Sequence, residues 1–238
     1  MDSGRRSALA VRIGAEFLAI FAGAILALTA DGWAERRSEQ EEARAGLALI
    51  LSDLEEDSIQ YVVVGDKMSE WTEAAAWLIL NWDRTDLPAD SVELAFDIFT
   101  EGESFQVSRV GFEGLRDANR LGFIENGGVL AALRRYYQID QPQLRRSYDH
   151  TIELVDELPR LSAAHLRYGS ESNVREGWPL TKAGVELRHP WAEISRDPVL
   201  HQTLLWFGRW TGYMADSLEE AEVKLAGVLK EVRLELNN

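Results

Sequence analysis

Residues 15–37 read AEFLAIFAGAILALTADGWAERR and carry a small residue at every fourth position, at Ala15, Ala19, Gly23 and Ala27. On a helix this spacing aligns the four along one side. A helix that faces only lipid gains nothing from such a strip, whereas small residues let two helices approach closely within a bilayer. The stretch therefore predicts a membrane helix that packs against a partner helix.

The apolar part of this stretch is close to the length of a membrane span. Residues 17–30 carry no charge, and residues 13–30 include a single acid, Glu16. These 18 residues would form about 27 Å of helix, against roughly 30 Å for the hydrocarbon layer. Glu16 follows Arg12 by four residues, the spacing at which the two charges pair near the lipid headgroups. We predict a transmembrane helix over residues 13–33, after a short leader at residues 1–12.

A cleaved signal peptide is the alternative for this segment. A cut after Ala30 would place Leu28 at the −3 position, where small residues are preferred, so we favour an uncleaved anchor. Trp33, Arg36 and Arg37 are then expected at the far membrane interface.

The composition excludes several classes of function. The 238 residues carry 25 Lys and Arg against 40 Asp and Glu, a net charge of −15. This acidity argues against nucleic-acid binding. No cysteine is present, which excludes disulfides, thiolate metal sites and a cysteine nucleophile.

Residues 34–238 are predicted to form an acidic, all-α extramembrane bundle that continues from the membrane helix. The first part of this domain is expected to be helical to about residue 64, with Leu47, Ile50, Leu51, Leu54, Ser58 and Tyr61 on the apolar face. Asp53 and Asp57 are assigned largely to other faces.

Further helices are predicted over residues 69–82, 90–100 and 141–168, the last kinked at Pro159. Residues 169–196 are predicted to be a loop. Asp197 and Pro198 suit the N-cap and first positions of a final helix that runs to about residue 236.

No catalytic motif is evident, so no enzymatic activity and no cofactor are predicted. The best metal-site candidate is Asp149 with His150 and Glu153, but a solvated helix face is the favoured interpretation. We therefore predict no metal site.

Tryptophan is frequent, with eight residues in the chain. Trp71, Trp77 and Trp82 fall in one short segment, and Trp206 and Trp210 lie one helical turn apart. Core packing explains such residues in most proteins. The alternative is a protein interface, because tryptophan is enriched at interaction hot spots.

Residues 23–42, GAILALTADGWAERRSEQEE, resemble the juxtamembrane signature of an uncharacterised group of single-span bacterial proteins. In that group an apolar G-I-L-I-A-L run precedes N-W-N-E-x-R. The matching positions are Gly23, Leu26, Ala27, Leu28, Trp33, Glu35 and Arg37, with Gly32 in place of asparagine. Residues 49–57 and 112–138 are similar to later blocks of the group. The resemblance implies a membrane anchor and a helical domain, and it implies no activity.

Two functions remain open at this point. The first is a non-catalytic accessory subunit of the bacterial inner membrane, which crosses the bilayer once, has its large domain in the periplasm, and braces a respiratory, photosynthetic or other complex. Its expected partners are other membrane protein subunits and the lipid bilayer, with self-association possible and nucleic acid excluded. The second is a membrane-anchored sensor or small-ligand-binding module.

Overall fold

A single helix of 78 residues, α1 (Ser3–Leu80), forms the axis of the structure. The computed structural model describes residues 3–168 and 184–237, and for residues 3–20 and 27 it describes the backbone alone. The two helices predicted before and after Gly65 are one continuous helix. A glycine costs roughly 1 kcal/mol inside a helix, and the buried packing of Val64 and Met68 on either side of it outweighs that cost.

The remaining elements are short, apart from two long helices. The first group comprises α2 (Ala89–Asp97), a 3-10 turn at Ile98–Thr100, α3 (Val110–Asp117), a second 3-10 turn at Leu121–Phe123, and α4 (Gly127–Arg135). The second group comprises a π-helical turn at Tyr136–Asp140, α5 (Gln141–Ser162), β1 (Leu166–Tyr168), β2 (Val185–Leu187), α6 (Trp191–Ile194) and α7 (Pro198–Asn237).

Helices α1 and α7 pack as an antiparallel pair along a heptad seam. The buried residues of α1 alternate at spacings of four and three. They are Ala43, Leu47, Ile50, Leu54, Asp57, Tyr61, Val64, Met68, Trp71, Ala75 and Leu78. Ala74 is also buried, and Trp82 continues the spacing two residues after the helix ends. In α7 the same alternation covers Leu200, Leu204, Phe207, Thr211, Met214 and Leu218. A sustained repeat of 3.5 residues is the pattern of coiled-coil packing, so we call this contact the seam.

Polar contacts along the seam establish its antiparallel direction. The hydroxyls of Thr72 and Thr211 are 2.9 Å apart. Toward the amino-terminal end of α1, Glu55 binds Arg233 at 2.7 Å, so residue numbers rise in one helix as they fall in the other. Helix α5 lies on the other side of α7, where the rings of His150 and Trp210 meet edge to face at 4.9 Å.

The amino-terminal part of α1 extends beyond the bundle. Arg120 binds Glu39 at 2.6 Å and Glu42 at 3.0 Å, which marks the level at which the other elements reach α1. Before this level, the described side chains of residues 21–38 are exposed, except at the half-buried Gly32. In the part of the chain that the structure describes, no helix has the length and apolar character needed to cross a lipid bilayer.

The structure is mostly helical, as predicted, but it differs from the sequence prediction near the end of α5. This helix ends at Ser162, and the residues after it form β1, which pairs antiparallel with β2 through Leu166 and Leu187. The predicted loop therefore contains β2 and α6. The predicted N-cap of α7 is confirmed, because Oδ1 of Asp197 accepts a hydrogen bond of 2.8 Å from the backbone N–H of Val199.

Helix α3 lies against α1 at very short range. A Cβ atom at Gly111 would come within 2.6 Å of the backbone nitrogen of Ile50 and 2.9 Å of the carbonyl carbon of Leu49. Since backbone atoms cannot rotate away as side chains do, only glycine permits this approach. In the same helix, a Cβ atom at Gly114 would meet nothing within 4 Å.

We predict that Gly111→Ala destabilises the fold by about 1–3 kcal/mol, because the added methyl group must push α3 off α1. Gly114→Ala is the matched control, which should be neutral or should stabilise by up to about 1 kcal/mol through helix propensity alone. Urea denaturation followed by circular dichroism measures both. Equal stabilities for the two variants would show that the α1–α3 contact does not require glycine.

Candidate functional site

Asp57 occupies a core position of the seam. It is fully buried, and in the described parts of the chain it is the one acid or base in the buried class. The prediction that Asp57 lies largely on another face is wrong, and Ser58, predicted on the apolar face, is half-buried. Counting steps of three and four from Ile50 through Leu54 reaches Asp57, so a heptad template would have found it.

Three groups donate hydrogen bonds to the Asp57 carboxylate, and a fourth extends the network. The Tyr136 hydroxyl and the Gln141 side-chain amide donate to Oδ2 at 2.6 and 3.0 Å. The backbone N–H of Ser108 donates to Oδ1 at 2.8 Å. The hydroxyl of Tyr61 lies 2.9 Å from that of Tyr136 and extends the chain of hydrogen bonds. We call these five residues the Asp57 network.

Asp53, one helical turn before Asp57, binds the same segment of the chain. Its Oδ1 accepts from the Ser108 hydroxyl and its Oδ2 accepts from the backbone N–H of Gly111, each at 2.7 Å. The two carboxylates of α1 therefore satisfy backbone and side-chain donors at the start of α3. This is how α1 holds a segment that is distant in sequence.

The π-helical turn brings the other donors to Asp57. Tyr136–Asp140 forms one wide turn between α4 and α5, and Tyr136 and Gln141 stand at its two ends. Such turns insert an extra residue into a helix and are frequent at functional sites. Here the turn lets both side chains reach a single carboxylate oxygen.

Burial raises the pKa of Asp57 to about 6, and the nearby charge of Asp53 acts in the same direction. The hydrogen bonds from Tyr136, Ser108 and Gln141 oppose this shift without cancelling it. Burial also raises the pKa values of Tyr61 and Tyr136 above the usual range for tyrosine. The network can therefore hold or release one proton near neutral pH at Asp57, while both phenols stay protonated.

A cleft of about 130 Å³ connects this network to the surface. It lies between α1, α5 and α7, and Tyr61 and Tyr136 form part of its wall together with Asp140, Tyr213 and Lys224. Two members of the Asp57 network therefore line a surface cleft, whereas Asp57 itself does not.

A longer groove runs between α5 and α7, which we call the aromatic groove. Its mainly apolar end, of about 430 Å³, is lined by residues that include Leu154, Leu161, Val199 and Trp206, together with Glu157, which pairs with Arg160. Its other end, of about 680 Å³, is lined by Gln143, Arg146, Ser147, His150, Trp206, Arg209, Trp210 and Tyr213. Trp206 lines both ends, so the two parts of the groove adjoin at this ring.

The predicted interface tryptophans divide between core and surface. Trp71 is fully buried, and its Nε1 donates to the carbonyl of Ile98 at 2.9 Å. Trp82 is buried and stacks on His201 at 4.5 Å, while Trp77 is half-buried. These three residues follow the core-packing interpretation. Trp206, which is 48% exposed, and the half-buried Trp210 lie together in the aromatic groove.

The predicted membrane residues lie on the projecting part of α1. The side chains of Arg12, Ala15, Glu16, Ala19 and Ala27 lie outside the described residues. Gly23 is described, and a Cβ atom there would meet nothing within 4 Å.

The predicted membrane-interface residues after the apolar segment are exposed. Trp33 is 63% exposed, and the Arg37 guanidinium lies 5.5 Å from the centre of its ring. Arg37 also pairs with Glu41 at 3.2 Å, and Arg36 is exposed. The structure thus places these three residues on the solvent-facing surface of α1.

The residues considered as a metal site, Asp149, His150 and Glu153, make local contacts along α5. Asp149 accepts from Arg145 at 2.8 Å, and His150 lies 3.6 Å from Glu153. No cluster of three or more potential metal ligands occurs among the described residues.

Comparisons of the chain with protein families, with curated proteins and with solved structures give no match. The resemblance of residues 23–42 to single-span bacterial proteins therefore stays a prediction.

We predict that Asp57 gives stability a pH dependence of defined sign. Because its folded pKa of about 6 lies above the unfolded value of 3.8, the folded state binds more protons between these limits, and stability falls as pH rises through them. The free energy of unfolding of the wild type relative to Asp57→Asn should fall by about 2 kcal/mol from pH 4 to pH 7.

Urea denaturation at several pH values measures this difference. The exposed Asp66 on α1 provides a matched control, since Asp66→Asn should change stability by less than about 0.5 kcal/mol. A wild-type minus Asp57→Asn difference that does not vary between pH 4 and 7 would contradict the prediction.

Proposed function

We propose that this chain is a non-catalytic, membrane-anchored accessory subunit whose projecting helix docks against membrane helices of a larger complex, while its bundle braces the assembly. One observation carries the proposal. The part of α1 that projects from the bundle carries exposed large apolar side chains, among them Ile25 at 46%, Leu26 at 68% and Leu28 at 72% exposure.

Exposure of these side chains to water is unfavourable in free energy. Leaving a leucine or phenylalanine exposed forgoes roughly 1.5–3 kcal/mol relative to burial. The bundle supplies no cover for them, because its elements reach α1 only at the level of Glu39 and Glu42. In sequence the same segment continues to residue 13 with Glu16 as its one charge, which favours a bilayer as the apolar environment.

Gly23 supports docking against another helix. Glycine inside a helix costs roughly 1 kcal/mol relative to alanine, and here no atom of this chain's described part lies close enough to require it. A second helix that approached this position closely would require glycine there. The alignment of Gly23 with Ala15, Ala19 and Ala27 extends this requirement over three turns.

A small-ligand-binding module is the second candidate. The observation that favours it is the cleft in which Tyr61 and Tyr136 connect the Asp57 network to the surface. If the chain purifies from its native membranes in mild detergent without partner subunits, this alternative gains support and the accessory-subunit proposal loses it.

Introducing charge into the projecting segment should abolish membrane association. Each arginine at the centre of a membrane helix costs roughly 2.5–3.5 kcal/mol, so Leu26→Arg with Leu28→Arg should move the protein from the carbonate-washed membrane pellet to the supernatant. Leu80→Arg with Leu94→Arg is the matched control, because Leu80 and Leu94 are exposed on the bundle. Wild-type protein in the supernatant, or an unmoved double variant, would refute the anchor.

Blocking the small-residue strip should release partner subunits without releasing the protein from the membrane. Gly23→Leu should abolish co-purification of the partners, since the added side chain prevents close helix contact. Ala24→Leu adds similar bulk on a different side of the same helix and should retain them. Mass spectrometry of the native complex measures both, and retention of every partner by Gly23→Leu would show that the strip has no docking role.

A further inference from the structure

The aromatic groove combines exposed aromatic side chains with two arginines on an acidic protein. Trp206 and Tyr213 are 48% and 52% exposed, and Arg146 and Arg209 line the groove beside them. Within the described residues, neither arginine forms an ion pair, although Arg209 lies 5.9 Å above the Trp206 ring. Two guanidinium groups thus remain without carboxylates in a chain of net charge −15.

Several other arginines of the bundle do pair with carboxylates. Arg145, next in sequence to Arg146, binds Asp149 at 2.8 Å, and Arg120 binds both Glu39 and Glu42. Acidic side chains are therefore readily recruited elsewhere on the surface. The two arginines of the groove would attract a carboxylate, and no carboxylate of the described residues pairs with them.

The shape of the groove specifies what kind of carboxylate-bearing partner fits. It lies between two helices, α5 and α7, and extends along α7 from Val199 to Tyr213. At 1.5 Å per residue this is about 21 Å, the length of a helix of roughly 14 residues. Leu154, Leu161 and Val199 make one end apolar, and a third helix would bury that end while its acids face the arginines at the other.

We propose that the aromatic groove binds an acidic amphipathic helix of a partner protein. Apolar side chains of that helix fill the end lined by Leu154, Leu161 and Val199, and its carboxylates meet Arg146 and Arg209. Tryptophan, tyrosine and arginine are the residues most enriched at binding hot spots, and Trp206 stands where the two halves of the groove join. This site is on the bundle, so it does not depend on the membrane anchor.

The test uses the full chain in mild detergent and a fluorescein-labelled 18-residue peptide, with leucine on one helical face and glutamate and alanine elsewhere. Fluorescence anisotropy measures its dissociation constant. The same peptide with every glutamate changed to lysine is the charge control. We expect the acidic peptide to bind at least about tenfold more tightly than the lysine peptide, a ratio equivalent to about 1.4 kcal/mol.

Matched protein variants localise the binding. Arg146→Glu with Arg209→Glu should weaken binding of the acidic peptide at least about tenfold, because two attractions become repulsions. Arg134→Glu with Arg196→Glu makes the same change of net charge at exposed positions outside the groove and should alter binding less than about twofold. Circular dichroism confirms that both double variants remain folded.

Three results would overturn the proposal. The first is no binding of the acidic peptide at millimolar concentration, and the second is equal weakening by the two double variants, which would indicate bulk charge. The third is binding of phosphatidylglycerol vesicles without binding of the peptide. If that vesicle binding depends on Arg146 and Arg209, the groove is assigned to lipid headgroups. Because the protein is already in detergent, none of these results bears on whether the amino-terminal segment anchors it.

Discussion

The buried carboxylate of Asp57 organises the middle of this protein. It lies at a core position of the seam between α1 and α7, where an aliphatic side chain would pack with less desolvation cost. In exchange it binds the backbone of Ser108 and the side chains of Tyr136 and Gln141, which come from two separate segments. A single polar group in a coiled-coil seam can specify one arrangement at the expense of stability, and here it determines where α3 and the π-helical turn meet α1.

The position of α3 depends on that anchoring. Asp53 satisfies the donors at the start of α3, and Gly111 lets its backbone approach that of Ile50. The same region of α1 thus supplies apolar contacts toward α7 and polar contacts toward α3. Because α1 is one continuous helix, the buried side chains between Ala43 and Leu78 hold it in the bundle, while Leu26, Leu28 and Trp33 on its earlier turns are exposed. The seam therefore fixes the direction in which the amino-terminal part of α1 leaves the bundle.

Sequence periodicity predicted the long helices well because each buries a sustained apolar face, and Asp197 marked the start of α7 by a specific capping pattern. Periodicity did not place Asp57 correctly, because charge indicates an exposed position whereas the seam's repeat of 3.5 residues places it in the core. The β1–β2 pair was missed because each strand has only three residues, too few for an alternating pattern to be recognised. The break predicted near Gly65 did not occur because tertiary packing outweighs local propensity.

The tryptophans show why composition alone did not locate an interaction surface. Trp71 and Trp82 are seam residues whose rings contact Phe207 and His201, so their contribution is to the core. Trp206 and Trp210 follow one another by a single turn on α7, but they face α5 instead of α1. Helical spacing is the same in the two cases, and only the position of the neighbouring helices distinguishes a packed ring from an available one. The arginines beside Trp206 add the second distinction, because a core does not keep guanidinium groups without carboxylates.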